Sequence, residues 1–289
     1  MFGQYWIPMF ITGCFPGTVS FNTGTPIQPF GRNPQIRITQ KLGDIKLIGI
    51  LSSQRDYANR GPVGATGAYL SNSGIPAVDF QIHYDKSNKD AGTALLIGAG
   101  AGYKKIVPSL KSATNYKTDD AVSSMSAIGF FKIQLPAITF KLEGAYSENA
   151  DNNLSLGGFS VHEETEAATG AVKYTPSKTM SAWTDIQTNG KTQFGLFAGY
   201  TQNQGFKDDV ILNQDNSLFS SYGLGTNIES LYRVSPRVVF NLDHIRFALE
   251  GEYTAAKYGD GTYDAKGIPQ NTTEADNLRI LFAVYYFFK

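Results

Sequence analysis

Residues 32–54 read RNPQIRITQKLGDIKLIGILSSQ, two arms in which apolar and polar side chains alternate, joined by Gly43-Asp44. A period of two predicts β-strands, because successive side chains of a strand point to opposite faces of the sheet. Gly-Asp between two such arms is typical of a tight hairpin turn. One face of the first arm is apolar, and the other is polar and partly cationic, with Arg37 and Lys41. The stretch therefore predicts a hairpin with two chemically different faces.

The same pattern recurs along the chain and predicts 12 antiparallel strands. They cover residues 2–7, 34–42, 45–54, 76–85, 91–106, 120–134, 137–148, 178–188, 192–202, 228–242, 245–258 and 277–289. Their connections alternate strictly between short turns and long loops, as in outer-membrane barrels, which have tight periplasmic turns and long external loops. Most predicted strands also reach the roughly 9–11 residues that cross a membrane at a tilt. We therefore predict an all-β, single-domain transmembrane antiparallel β-barrel over residues 1–289. A soluble β-sandwich with a polar outer face is the alternative.

Composition limits the classes of partner. The chain has 25 basic and 25 acidic residues, so its formal net charge is +0 and no basic excess is present to bind nucleic acid. The single cysteine, Cys14, excludes an internal disulfide framework. No apolar run reaches the roughly 18–20 residues of a membrane helix. We therefore predict that strands, and not helices, cross the membrane and contact the outer-membrane lipid.

The polar face of the predicted barrel carries too many ions to form a dry core. Burying each ion without water would cost several kcal/mol, so this face is expected to line an aqueous lumen. The residues predicted to line it are Arg37, Lys41, Lys141, Arg233, Arg237, Arg246, Arg279, Asp79, Glu143, Glu250 and Glu252. Rings of Arg and Lys select anions in pores. The other interpretation, which the sequence leaves open, is that these charges form salt-bridge ladders that brace the wall.

No catalytic signature emerges from the sequence. Residues 98–102 read GAGAG, which is not the dinucleotide-binding pattern, and no helix is predicted after them. Residues 162–166 read HEETE, which lacks the second histidine of a zinc-protease motif. The chain contains three histidines, and no nucleophilic triad can be assembled from them. We predict no catalytic residue, no metal site and no cofactor.

Three short motifs near the start resemble a known family. Gly3-Gln4-Tyr5-Trp6, then Phe15-Pro16-Gly17, then Arg32-Asn33-Pro34-Gln35-Ile36-Arg37 follow one another as in the DcaP-type outer-membrane porins. The ending, residues 277–289, looks more like versions from the Bacteroidota. The resemblance implies a 16-stranded, homotrimeric barrel that takes up small organic acids, dicarboxylates among them. Because residue 1 falls inside a predicted strand, we expect a signal peptide and the first strands to be absent from this sequence.

The resemblance also implies a role for residues 9–33. In 16-stranded porins the corresponding loop folds into the lumen and forms the constriction. The residues expected there are Phe15, Pro16, Phe21, Phe30 and Arg32.

The predicted function is that of a porin in a Gram-negative outer membrane. It would let small hydrophilic solutes and ions diffuse passively, with a preference for anionic or zwitterionic solutes such as organic acids. A structural or partner-binding barrel in a larger complex and an outer-membrane hydrolase are the alternatives.

Overall fold

The computed structural model describes residues 1–288, and Lys289, the end of the predicted last strand, lies outside the described residues. Strands dominate, with one short helix. In chain order the elements are β1 Phe2–Trp6, β2 Arg32–Leu42, β3 Ile45–Ser52, β4 Arg60–Gly61, β5 Gly64–Ala65, α1 Ala68–Asn72, β6 Ala77–Asn88, β7 Thr93–Ile106, β8 Val122–Gln134, β9 Ile138–Glu148, a 3₁₀ turn Asp151–Asn153, β10 Gly157–Glu166, β11 Ala171–Thr188, β12 Thr192–Phe206, β13 Ser221–Leu224, β14 Ile228–Leu242, β15 Ile245–Tyr258 and β16 Thr273–Tyr286. Among residues 1–288, no helix has the length and apolar character needed to cross a membrane.

Twelve strands form one continuous antiparallel sheet, each hydrogen-bonded to its neighbour in the order β1-β2-β3-β6-β7-β8-β9-β11-β12-β14-β15-β16. These are the twelve strands that the sequence predicted, and the prediction of a transmembrane antiparallel β-barrel is confirmed. Short turns alternate with long loops along the sheet, as predicted. The opening hairpin has the predicted register, with Leu42 opposite Ile45 and Gly43 at φ +63 in the turn.

The outer face of the sheet is apolar. On most long strands, large exposed side chains alternate with side chains that are buried inside the barrel. Examples of the outward set are Ile38, Phe80, Ile82, Met125, Phe194, Phe240, Leu249, Ile280 and Phe282. Ile38 and Ile280 are 72% and 73% exposed. An apolar belt of this extent is stable in contact with lipid and not with water.

The segment between β1 and β2, residues 7–31, folds inside the barrel, and we call it the inner loop. Its side chains Ile7, Met9, Phe10, Ile11, Cys14 and Ile27 form one buried cluster with Leu96, Ile128, Phe130, Ala145, Trp183, Phe197, Leu231 and Ala256 of the wall. Polar contacts extend this reach from Gln81 on β6, which donates to Pro8 O, to Arg279 on β16, which donates to Ser20 Oγ. The sheet therefore curves around the inner loop.

Part of the inner face is an apolar patch covered by the inner loop. One sequence expectation needs correction. Three segments were expected to be irregular loops, 54–74, 149–176 and 203–227. They instead contain β4, β5 and α1, then β10 and the first part of β11, then β13.

The extra strands form an outer cap above the barrel. β10 pairs with β11 on one side and with β13 on the other. Phe159 of β10 is fully buried and packs against Tyr174 and Tyr222 at ring-centroid distances of 5.4 and 5.2 Å. The acidic residues after Phe159 mask its alternating pattern, and the β10–β13 pairing joins residues about 60 positions apart, so local sequence contains little sign of it.

Candidate functional site

The inner loop is attached to the wall by carboxylates of β15. Glu250 accepts hydrogen bonds from Val19 N at 2.7 Å and from Ser20 N at 3.0 Å. Glu252 accepts one from the Asn22 side chain at 3.2 Å. Both glutamates were predicted to face the lumen. They lie on the inner face, where two backbone N–H groups of the loop bond to Glu250 and the Asn22 side chain bonds to Glu252.

Arg233 and Arg279 lie beside Glu252 on neighbouring strands. Arg233 Nη1 donates to Thr25 O at 2.7 Å, and its Nε lies 3.7 Å from Glu252 Oε1. Arg279 Nη2 lies 2.9 Å from Glu252 Oε2. These arginines thus neutralise the glutamate and hold the inner loop. Of the two roles that the sequence left open for them, this geometry favours the bracing one.

Arg237 is paired with a residue that the sequence analysis missed. Its guanidinium donates to both carboxylate oxygens of Asp185, at 2.8 and 3.0 Å, and the side chains are 2% and 0% exposed. Asp185 lies directly opposite Lys141 in the sheet. Its inward position in the alternation of residues 178–188, facing a predicted lumen lysine, was the signal that could have identified it.

Glu143 is buried, 1% exposed, against an aromatic side chain of the wall. Its Oε1 accepts a hydrogen bond from Trp183 Nε1 at 3.2 Å. Both side chains lie under the inner loop, and Trp183 belongs to the buried cluster. Glu143 therefore faces the interior as predicted, but the loop separates it from the open part of the lumen.

A second group of inward cations lies near the short turns, on the far side of the inner loop from the outer cap. Lys132 and Lys141 are directly opposite each other on β8 and β9, and Lys141 Nζ donates to Phe15 O at 2.9 Å. Arg246 donates to Asn241 Oδ1 and lies over the Tyr285 ring at 6.0 Å. Lys41 is exposed next to the first hairpin turn. We call Lys41, Lys132, Lys141 and Arg246 the basic group.

The basic group has few counter-charges. Across residues 1–288, the side-chain nitrogens of Lys41 and Lys132 form no hydrogen bond or ion pair. Lys141 lies 4.0 Å from Asp185, which is already paired with Arg237. A cavity adjoins this region and is lined by residues 15–19 of the inner loop together with Lys141, Gln187, Gln193, Arg237, Val239, Arg246, Ala248 and Tyr285. Like charges directly opposite each other are unfavourable in a sheet, so an anion in the cavity would be stabilised.

Arg37 and Asp79 face the interior on the other side of the barrel. Both lie opposite Ile50, which is buried, so the three inner side chains are in one row of the sheet. Arg37 Nε donates to Gln35 Oε1 at 3.2 Å, and its guanidinium lies over the Tyr5 ring at 4.9 Å. Arg37 forms no ion pair with a carboxylate among residues 1–288, and its Nη2 donates to Trp6 O at 3.4 Å.

The residues expected in the constriction have different positions. Phe15 stacks on Phe10 at 5.5 Å and lies below the Lys141 ammonium. Pro16 is buried in the loop, and Phe21 is 91% exposed on it. Phe30 and Arg32 lie away from residues 15–20 of the inner loop. Phe30 belongs to the aromatic cluster at the outer end, and Arg32 is the first residue of β2, with its guanidinium over the Trp6 ring at 5.2 Å.

A buried polar network closes the outer side over β7. Lys104 Nζ donates to Asn59 Oδ1, Asn149 O and Asn152 Oδ1 at 2.9, 2.7 and 2.5 Å. Asp151 accepts hydrogen bonds from Arg60 N at 2.6 Å and from the Asn59 side chain. Burial raises the pKa of Asp151 to about 6, although Lys104 and the Arg60 N–H oppose the rise. Local sequence does not predict this network, because it joins β7 to two loops far apart in the chain.

Comparison with known proteins supports the fold. No family model matches the chain, and no curated protein matches it. Among solved structures, the outer membrane channel DcaP of Acinetobacter baumannii is similar, with a TM-score of 0.67 and 13% identity over 99% of this chain and 71% of that chain. OmpT, an outer membrane protein of Vibrio cholerae, is similar in its in-vitro folded form (TM-score 0.52, 10% identity, 99% and 75% covered) and in its outer-membrane expressed form (0.51, 11%, 99% and 76%).

These likenesses, together with the lipid-facing belt, show a porin-like β-barrel of the outer membrane. The predicted localisation to the outer membrane is confirmed.

Proposed function

We propose that the protein is a passive diffusion channel for small hydrophilic solutes, with a preference for anions. The observation that carries the proposal is the basic group beside the cavity below the inner loop. Lys141 and Arg246 line the cavity, and Lys132 lies directly opposite Lys141. Asp185, 4.0 Å from Lys141, is already bound by Arg237. A solute with negative charge would gain electrostatic energy in this part of the lumen without a conformational change.

The magnitude suits a channel. A unit positive charge about 7 Å from an anion in water contributes about 0.6 kcal/mol, less once salt screens it. Several such charges concentrate anions in the lumen without trapping them, which is the condition for fast passage. The preference is therefore electrostatic and moderate, and it extends to small organic acids, zwitterions and inorganic anions.

The finer assignment rests on the likeness to DcaP-type porins. The motifs at residues 3–6, 15–17 and 32–37 and the fold shared with the DcaP channel support membership of that group. By the same reasoning we propose a homotrimer in a Gram-negative outer membrane. Cross-linking of the purified protein in detergent, followed by mass measurement, tests the trimer directly.

Planar-bilayer recording tests the channel and its preference together. We expect the parent protein to conduct, with an anion-over-cation permeability ratio above one in a salt gradient. In Lys132→Gln/Arg246→Gln the ratio should fall by roughly five- to thirtyfold, the equivalent of about 1–2 kcal/mol after screening.

The matched control is Lys86→Gln/Lys89→Gln. It removes the same charge at the same end of the barrel, but from the outward side of β6 and the turn that follows it. Its permeability ratio should equal that of the parent. A parent barrel that does not conduct would refute the channel and favour the partner-binding alternative. An equal fall in both variants would refute the role of the basic group.

A further inference from the structure

Arg237 occupies a slot that two glycines create. A Cβ atom at Gly195, the residue directly opposite on β12, would lie 2.5 Å from Arg237 Cζ. A Cβ atom at Gly17, in the inner loop, would lie 2.5 Å from Arg237 Nη2. Both distances are far below van der Waals contact, so neither position has room for a side chain while the guanidinium stays in place. The guanidinium is thus sandwiched between the wall and the loop.

The hydrogen bonds of this guanidinium go to β11 of the wall, and one of the acceptors there also bonds to the loop. Its two bonds to Asp185 are supplemented by one from Nη2 to Gln187 Oε1 at 2.8 Å. Asp185 Oδ2 in turn accepts a hydrogen bond from Gly17 N at 3.1 Å. Bidentate Arg–carboxylate pairs have strict geometry, so the position of Arg237 specifies that of Asp185, and Asp185 specifies that of Gly17. Bonded in this way and only 2% exposed, Arg237 presents little of its guanidinium to the adjoining cavity.

The loop on either side of Gly17 is held by other strands. Lys141 of β9 binds Phe15 O, and Glu250 of β15 binds Val19 N and Ser20 N. The Arg237–Asp185 pair, from β14 and β11, lies between these two attachments in the sequence of the loop. Residues 15–20 are therefore fixed at three successive points, and the central one depends on the buried Arg237–Asp185 pair.

We propose that Arg237 and Asp185 are positioning residues for the tip of the inner loop. They determine how far residues 15–20 project into the lumen, and so the width of the pore, while the basic group determines its charge preference. The effect on pore width rests on the proposed channel function. Whether the pair holds the loop against the wall can be tested without measuring conduction.

The central variant is Asp185→Asn/Arg237→Gln, which removes one charge of each sign and leaves the net charge of the lumen unchanged. Cys14 reports on docking, because it is fully buried against the wall three residues before Gly17. We expect maleimide to label Cys14 about tenfold faster than in the parent, the change that about 1.4 kcal/mol of lost docking produces. In liposome-swelling assays, larger neutral sugars should enter than in the parent, with the anion preference unchanged.

A second variant and a control complete the design. Gly195→Ala keeps every charge and displaces Arg237 by its added methyl group, so it should change labelling and sugar size in the same direction, even if the double variant does not fold. Lys46→Gln/Asp85→Asn removes another inner ion pair, one that forms no hydrogen bond with the inner loop among the described residues, and should match the parent.

The outcomes separate the two proposals. Unchanged Cys14 labelling in both test variants would overturn the inference, as would a loss of anion preference with no change in the size of sugar admitted. A parent that does not conduct, with faster labelling in the variants, would refute the channel and leave the docking role standing.

Discussion

Asp151 tests whether the cost of burying a carboxylate in the outer polar network exceeds the stabilisation that its neighbours supply. Its carboxylate is almost fully buried beside Lys104 and the Arg60 N–H, and burial raises its pKa from the ordinary 3.8 to about 6. The folded protein therefore holds a proton on Asp151 at pH values where the unfolded chain has released it. This group contributes stability that is fully present below pH 3.8 and is lost as the pH rises through 6.

The size of the loss follows from the two pKa values. The difference between 3.8 and about 6 corresponds to about 3 kcal/mol of unfolding free energy. An asparagine has the shape of the neutral acid and cannot ionise. Asp151 accepts hydrogen bonds with both oxygens, whereas an amide has one acceptor oxygen. We therefore expect Asp151→Asn to be slightly less stable than the parent near pH 4 and to gain up to about 3 kcal/mol relative to it above pH 6.

Equilibrium urea unfolding in lipid vesicles, followed by tryptophan fluorescence between pH 4 and 8, measures the difference. Asp215→Asn is the control, because Asp215 is exposed and its pKa is lowered by hydrogen bonds from Ser217. That variant should gain no stability at high pH. A variant Asp151→Asn that is less stable than the parent at pH 8 would refute the reasoning, since the ionised carboxylate would then gain more from Lys104 and Arg60 than burial costs.

Two further predictions concern the inner loop and the part of the barrel wall that it packs against. Burial raises the pKa of the Cys14 thiol to about 12, so the native protein should resist maleimide at pH 8 and react only after unfolding; rapid native labelling would show that the loop leaves the wall. Phe197→Ala removes a fully buried ring that packs beside Trp183 and should cost about 3–5 kcal/mol of unfolding free energy by urea titration. The control Phe194→Ala, on the lipid face of the same strand, should cost clearly less, and equal losses would contradict the interior position of Phe197.

Local sequence was sufficient for the wall of the barrel. Strict alternation predicted twelve strands, and turn residues such as Gly43-Asp44 predicted their short connections. Alternation also assigned the inner face correctly for charged residues such as Arg37 and Glu250. These properties depend on neighbours within a few positions, because a strand's two faces are defined by its own period of two.

Only the tertiary structure decided which of those inner charges are free. Arg237 and Asp185 come from strands 52 positions apart, and Glu250 meets Val19 across 231 positions. No local pattern encodes such partners. The apolar patch around Trp183 also has no local signature. It is stable on the inner face because a loop distant in sequence covers it. Alternation determined which way each side chain points, whereas the fold determined what it finds there: another ion, the inner loop or open lumen.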